Sequence, residues 1–204
     1  IPILGINTGR LGFISSVSAG QIDDAVNDIL KGNYQINERT LLSLDTDKKL
    51  FKDKNFALNE VAVSKKDTSS MIRIDAYVDD EFLNTYWADG LVVSTPTGST
   101  GYSLSCGGPI IMPGTNNIII TPNAPHNLNV RPIVIDDDSV VKLKVEDRDQ
   151  LALVSLDSRS RAFDSDTELI IKKADFKIKL IQPQNNSFTA TIRHKLMWGL
   201  DKRS

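Results

Sequence analysis

Cysteine is almost missing from this chain. Its only thiol is Cys106, so no intramolecular disulfide can form, which excludes a disulfide-stapled secreted scaffold and fits the reducing cytoplasm. Histidine is nearly as scarce: His126 and His194 stand far apart, and no Cys or His cluster exists, which excludes a structural zinc site. Charge of one sign is not in excess either, because 24 Lys and Arg against 26 Asp and Glu leave a net charge of −2. A nucleic-acid partner calls for a basic surplus, so none is expected. No apolar run approaches the roughly 18 to 20 residues of a membrane-spanning helix, the visible start carries no signal peptide, and no membrane partner is expected. The phosphate loop Gly-x-x-x-x-Gly-Lys-Ser/Thr is absent as well.

What is present is an ordinary globular composition, 40% hydrophobic and 25% charged over 204 residues, enough to bury a sizeable core. With no Pro/Gly-rich linker and no fixed repeat, residues 1–204 read as one domain. One helix is legible near the start. Ile22, Ala25, Val26, Ile29 and Leu30 recur at spacings of three and four, which predicts a helix from about Gln21 to Lys31 with these residues on one face. Ser18 with Gln21 makes a capping box, and Gly32 a C-terminal stop.

Short β-rich runs bounded by turn residues predict strands at 56–65, 72–78, 82–87, 91–94, 118–121, 140–145, 151–156, 168–173 and 176–181. Asp79-Asp80-Glu81 predicts a tight hairpin and Asp136-Asp137-Asp138 a further reversal. These acidic runs read as solvated surface, since consecutive carboxylates in a turn diverge rather than converge on a metal. Asp45 to Lys54 reads as a loop. The fold class that follows is mainly β, two packed antiparallel sheets with one short N-terminal helix.

The most informative segment runs from Asp89 to Ser105. Leu91, Val92 and Val93 are too apolar and β-branched for a surface loop and read as a buried strand, which Pro96 and Gly98 then stop. Ser99 or Thr100 is placed to cap a short helix through Ser105, aiming free N–H groups and the positive dipole end at whatever occupies the turn, for which a phosphate or ribose is suited. On composition alone, an ordinary strand-turn-helix junction whose hydroxyls only close the turn stands equally open.

The residue order carries more. Asp89-Gly90-Leu91-x-x-Ser94-Thr95-Pro96-Thr97-Gly98-Ser99-Thr100-x-Tyr102-Ser103-Leu104-Ser105, followed by Gly107-Gly108-Pro109, resembles the signature of NAD kinases, which phosphorylate the adenosine ribose of NAD to make NADP. Three further segments resemble the family in the same order: Ile3 to Phe13, like its link between two domains; Asn59-Glu60, like its Asn-Glu strand pair; and Thr121 to Ile133, like its loop ending in Arg-Pro.

That resemblance implies a dinucleotide site made by Asn59, Glu60, Asp89, Thr97, Thr100, Gly101, Tyr102 and Ser105, with Ala124 lending its carbonyl and His126 and Asp157 added to the set. Tyr102 offers a ring for stacking on a base or nicotinamide. The bland alternatives are surface polarity for Asn59 and Glu60, a turn for Asp89 and core packing for Tyr102. Gly101 stands where many members have alanine, which predicts a wider pocket or a looser helix start. At Val154 to Arg159 the family often reads Asp-Gly-Gln, so Asp157 matches while Ser158 and Arg159 do not.

The family's Gly-Gly-Asp-Gly motif, whose Asp is the expected base, does not occur here; the only Gly-Gly pair is followed by Pro109. The chain is therefore expected to be the NAD-binding C-terminal domain, with 1–13 as link and the ATP-binding α/β domain absent, and to be inactive alone. The activity implied is transfer of the ATP γ-phosphoryl group to the 2′-hydroxyl of NAD, with Mg²⁺ or another divalent metal accompanying ATP and a dimer or tetramer completing the pocket. Two other readings are a non-catalytic dinucleotide-binding or oligomerisation module and a related lipid kinase.

Overall fold

The computed structural model describes residues 1–8, 12–15, 17–66, 70–146, 151–183 and 187–199. In chain order its strands are β1 Ile6–Asn7, β2 Val17–Ser18, β3 Tyr34–Asp45, β4 Phe56–Ala57, β5 Glu60–Lys65, β6 Ile72–Val78, β7 Glu81–Ala88, β8 Gly90–Ser94, β9 Asn117–Asn123, β10 Ile133–Asp136, β11 Val141–Glu146, β12 Leu151–Leu156, β13 Arg159–Asp164 and β14 Leu169–Pro183. The α-helices are α1 Ile22–Leu30, α2 Tyr102–Ser105 and α3 Phe188–Leu196. Two compact units emerge, one of Ile1–Arg39, Met112–Gly114 and Ile178–Ser204, the other of Thr40–Ile111 and Thr115–Lys177.

The larger unit holds the sandwich that the alternating strands predict. One six-stranded sheet has the order β10-β9-β8-β5-β12-β13, the other β4-β3-β14-β11-β6-β7. Val61, Val63, Leu91, Val93, Ile118 and Ile120 of the first share a single core with Leu42, Ile72, Ile74, Leu143, Val145 and Ile171 of the second. Alternation accounts for the second sheet's β6 and β11, buried at every other residue. β8 is different, being buried at all five positions. Its outer face lies under the polypeptide that follows, where Ser103 of α2 and Thr121 of β9 share a hydrogen bond between hydroxyls at 2.9 Å.

The strands expected at 72–78 and 151–156 form over those residues. Asp79 and Asp80 both take positive φ, 50° and 66°, the backbone of a tight hairpin turn between β6 and β7. In the two six-stranded sheets, three strands escape the sequence pattern. β13 is a polar edge strand with Phe163 alone buried, β10 a four-residue edge strand, and the first half of β3 carries Gln35, Asn37, Glu38 and Arg39 instead of an apolar alternation. Edge strands gain little from apolar residues and are protected by charge, so their pattern is weak. The runs at 168–173 and 176–181 are one strand, β14, because Ala174-Asp175 is accommodated without a turn.

In the smaller unit β1 and β2 pair in parallel, and Ile3 bridges to Leu180. α1 matches the expected helix within a residue at each end, and Gly32 follows at φ 77°, the left-handed conformation that suits a C-terminal stop. The Ser18–Gln21 capping box is present, but it caps the 3-10 turn Ala19–Gln21 that leads into α1. The apolar face of α1 is only partly covered: Ala25 is buried, whereas Leu30 is 79% exposed. The Ser187 side chain caps α3 by accepting from the Ala190 N–H at 3.1 Å. Gly9, Arg10 and Leu11 of the link-like segment lie outside the described residues.

Candidate functional site

The strand expected at 56–65 is interrupted at Leu58 and Asn59, and the interruption builds the site. Asp157, in the turn between β12 and β13 at φ 53°, accepts hydrogen bonds from three consecutive backbone N–H groups: Leu58 at 3.0 Å, Asn59 at 2.7 Å and Glu60 at 3.3 Å. Its own N–H donates to the Glu60 carbonyl at 3.0 Å. These bonds hold the backbone of Leu58 and Asn59 out of the ladder, since a donor given to a carboxylate is not available to a neighbouring strand.

The turn after β8 packs directly on this segment. Thr95 donates its N–H to the Asn59 carbonyl at 2.9 Å and its hydroxyl to the Leu58 carbonyl at 2.7 Å, and that hydroxyl accepts from the Gly98 N–H at 3.1 Å. A Cβ on Gly98 would stand 2.0 Å from the Asn59 carbonyl oxygen, so only glycine lets the turn approach this closely. Thr97 is buried in the turn.

The helix start differs from the expected one. Gly98–Thr100 form a 3-10 turn and α2 begins at Tyr102 with Gly101 as its N-cap and no side-chain cap. Ser99 donates instead to the Pro96 carbonyl at 2.7 Å and accepts from the Ile111 N–H at 3.0 Å, while Thr100 donates to the Thr97 carbonyl at 3.3 Å. These hydroxyls close the turn, as in the ordinary junction. Glycine is a better N-cap than alanine, so Gly101 does not loosen the helix start. An added Cβ there would lie 3.1 Å from Glu60 Oε2.

Glu60 is the unusual group of the site. It is 9% exposed, and its Oε2 is buried without a hydrogen-bond partner. Burial pushes its carboxyl up to about 7; the negative charge of Asp157 adds to the rise, and the Tyr102 N–H opposes it. Ser94 stands opposite Glu60 in the β5–β8 register, and its fully buried Oγ also lacks a partner. Directly opposed residues share a face, so two unspent polar groups are stacked on the face turned away from Val61 and Val63. Buried polar groups without partners are rare and call for a ligand or water; ribose hydroxyls, each a donor and an acceptor, are suited to both.

Around this pair, Tyr102 is 40% exposed, and its hydroxyl accepts from Asn123 Nδ2 at 3.0 Å. Burial raises its hydroxyl above the ordinary value, with Cys106 and Asp89 contributing. That contact sets α2 against the end of β9, next to Ala124, an exposed residue at φ 47°. Asp89 is tied in from below, its N–H donating to the Asn123 carbonyl at 3.0 Å and its carboxylate pairing with Lys65 at 2.6 Å. Burial and Glu60 push the Cys106 thiol up, which suits packing rather than reactivity.

Asn59, Glu60, Gly101, Tyr102 and Asp157 are thus drawn into one cluster, with Thr97 in the turn beneath, and Asp89 joins through Asn123. His126 is exposed, its N–H donating to the Trp87 carbonyl at 2.8 Å; Ser105 is exposed at the C-terminal end of α2. Sequence reasoning missed Ser94, Thr95, Lys65 and Asn123. Thr95 and Ser94 stood in the signature itself, but nothing in the sequence distinguishes an orphaned serine from a capping one. Among the described residues no group of three or more His, Cys, Asp or Glu is placed to hold a metal, and no helix is long and apolar enough to cross a membrane.

Residues 58–183 match the model of the ATP-NAD kinase C-terminal domain. The NAD kinase of Cytophaga hutchinsonii is 53% identical over 204 residues and that of Flavobacterium psychrophilum 54% over 206, each match covering all of this chain and 70% of the relative. Yeast NADH kinase complexed with NADH superposes with a TM-score of 0.86 at 26% identity, over 98% of this chain and 60% of that one. An NAD kinase from Archaeoglobus fulgidus in complex with ATP superposes with a TM-score of 0.82 at 27% identity, over 96% of this chain and 74% of that one. With the family model matching most of the length and relatives more than half identical along all of it, the chain belongs to the NAD kinase family.

Proposed function

We propose that the protein is an NAD kinase, transferring the γ-phosphoryl group of ATP to the 2′-hydroxyl of the adenosine ribose of NAD to give NADP, and that residues 1–204 are its dinucleotide-binding C-terminal domain. The observation that carries this reading is the pair of buried, unpartnered groups, Glu60 Oε2 and Ser94 Oγ, beside an exposed aromatic ring. Family membership supports it, as do the ligands of the two superposed kinases, NADH and ATP.

In this mechanism Asn59 and Glu60 hydrogen-bond ribose hydroxyls, Tyr102 stacks on a ring of the dinucleotide, and Thr97, Thr100, Ser105, Ala124, His126 and Asp89 complete its surroundings. Glu60, poised near neutrality, is able to donate as well as accept. Asp157 acts through the backbone, fixing Asn59 and Glu60 by its three N–H bonds. The 2′-oxygen attacks the γ-phosphorus, ADP leaves, and the hydroxyl proton passes to a base. The family resemblance gives that base as the Asp of Gly-Gly-Asp-Gly, which these 204 residues do not contain. A divalent metal accompanying ATP neutralises phosphate charge, and the chain's part is to hold and orient the acceptor. The working assembly is a dimer or tetramer, and the compartment the cytoplasm, for which the lone Cys106 speaks.

Calorimetric titration with NAD, NADP and ATP tests this reading, repeated with Asn59→Ala and Tyr102→Ala. Dinucleotide binding that both variants lose is the expected result. Binding of ATP but of no dinucleotide would refute it.

A further inference from the structure

The smaller unit contains a cavity of about 220 Å³, whose lining includes Phe13, Asn37, Arg39, Leu180, Phe188 and Thr191. It shares no residue with the candidate dinucleotide site. Arg39, on β3, is 9% exposed, its Nε is buried without a hydrogen-bond partner, and no carboxylate pairs with it among the described residues. The adjacent Glu38 is engaged by Lys179 at 3.7 Å, and neighbouring strand residues point to opposite faces. The other polar groups of the lining are already committed: Asn37 Nδ2 donates to Gln182 Oε1 at 2.9 Å, and the Thr191 hydroxyl donates to the Ser187 carbonyl at 3.1 Å. A second cation, Lys195, sits 5.0 Å from the centre of the Phe13 ring.

A guanidinium does not deprotonate in proteins, so burial cannot neutralise it as it would a lysine. Burial does push Arg39 below its ordinary value, and no opposing charge restores it. An uncompensated buried charge is unfavourable unless an anion meets it, and the planar fork of Arg matches a carboxylate or phosphate with two parallel bonds. The volume is below the roughly 300 to 1,000 Å³ of pockets for drug-sized ligands, which excludes a dinucleotide and fits one small ring or a short-chain acid. The two aromatic rings, 6.5 Å apart between centroids, give that body an apolar wall.

We propose that this cavity is a binding site for a small organic anion, its carboxylate or phosphate seated on Arg39 and its short apolar body against Phe13 and Phe188. The test is thermal unfolding and calorimetry of the chain with benzoate, phenyl phosphate and inorganic phosphate, against sodium chloride at matched ionic strength and benzyl alcohol as a neutral analogue. Benzoate or phenyl phosphate should raise the melting temperature where sodium chloride and benzyl alcohol do not, a comparison that needs no variant. Arg39→Met should weaken binding at least tenfold and, without ligand, melt no lower than the parent, because it removes an unpaired buried charge; Arg39→Lys, which keeps charge but not the fork, should fall between. Equal shifts with sodium chloride, or undiminished binding in Arg39→Met, would overturn the proposal. A response to poly-glutamate peptides alone would overturn it too, by giving the cavity to an acidic polypeptide segment.

Discussion

Glu60 and Ser94 face each other across the β5–β8 ladder, and neither Glu60 Oε2 nor Ser94 Oγ meets a hydrogen-bond partner. Two orphaned groups in one cross-strand pair are a local conflict with folding, since each buried unsatisfied group costs about 1–3 kcal/mol. A site of this kind gains on binding what it lacks on folding.

The Glu60 carboxyl makes that conflict dependent on pH. Its folded value of about 7 lies above the ordinary 4.5, so the protonated form is favoured in the folded state. Its contribution to stability is fully present below pH 4.5 and is lost as pH rises through 7. Over that window the loss is on the order of 3 kcal/mol. Glu60→Gln is expected to match the parent in urea unfolding at pH 5 and to exceed it at pH 8. An equal difference at both values would show that Glu60 does not titrate in this range.

Asp157 serves two elements at once. Asp157→Asn keeps the shape but removes the charge and one acceptor, and asparagine tolerates the positive φ. The expected loss of stability is about 1.5–3 kcal/mol, the range for hydrogen bonds to a charged group. NAD affinity is expected to fall with it, because Asn59 and Glu60 lose their anchor. Denaturant titration together with calorimetry reads both, and an NAD affinity left intact by the substitution would remove Asp157 from the site.

Tyr102 is 40% exposed, and its hydroxyl accepts from Asn123. Stacking of a base on an aromatic ring contributes roughly 1–3 kcal/mol. Tyr102→Ala is therefore expected to weaken NAD binding by about 5- to 150-fold, and Tyr102→Phe by much less. Similar losses in the two variants would transfer the role from the ring to the hydroxyl.

Gly101→Ala places a methyl 3.1 Å from Glu60 Oε2 and 3.2 Å from the Gly98 carbonyl oxygen. The first neighbour is the end of a side chain and can yield; the second is backbone. Together with the poorer N-cap, the expected effect is a loss of roughly 0.5–1 kcal/mol, measured by urea unfolding. A gain in stability would mean that the helix start is looser than its hydrogen bonds indicate.

Much of this was legible in the order of residues. Alternating runs gave the central strands, paired aspartates gave the β6–β7 turn, and the Thr-Pro-Thr-Gly-Ser-Thr segment led to the family and to Asn59, Glu60 and Tyr102. Edge strands such as β13 stayed hidden because they bury almost nothing. The short helix was placed too early, since the Ser99 and Thr100 hydroxyls bond within their own turn.

Sequence alone determined what is local or periodic: which face of a strand is apolar, where a glycine must stand, which motif marks the family. Only the tertiary structure decided which polar groups are left without partners. Asp157 lies 98 positions beyond Asn59 yet holds its N–H. Glu60 is exposed or orphaned according to what β8 and α2 lay over it, and Arg39 is buried and unpaired in a strand whose pattern reads as polar surface. Satisfaction of a hydrogen bond depends on distances between segments remote in sequence, and no local pattern encodes them.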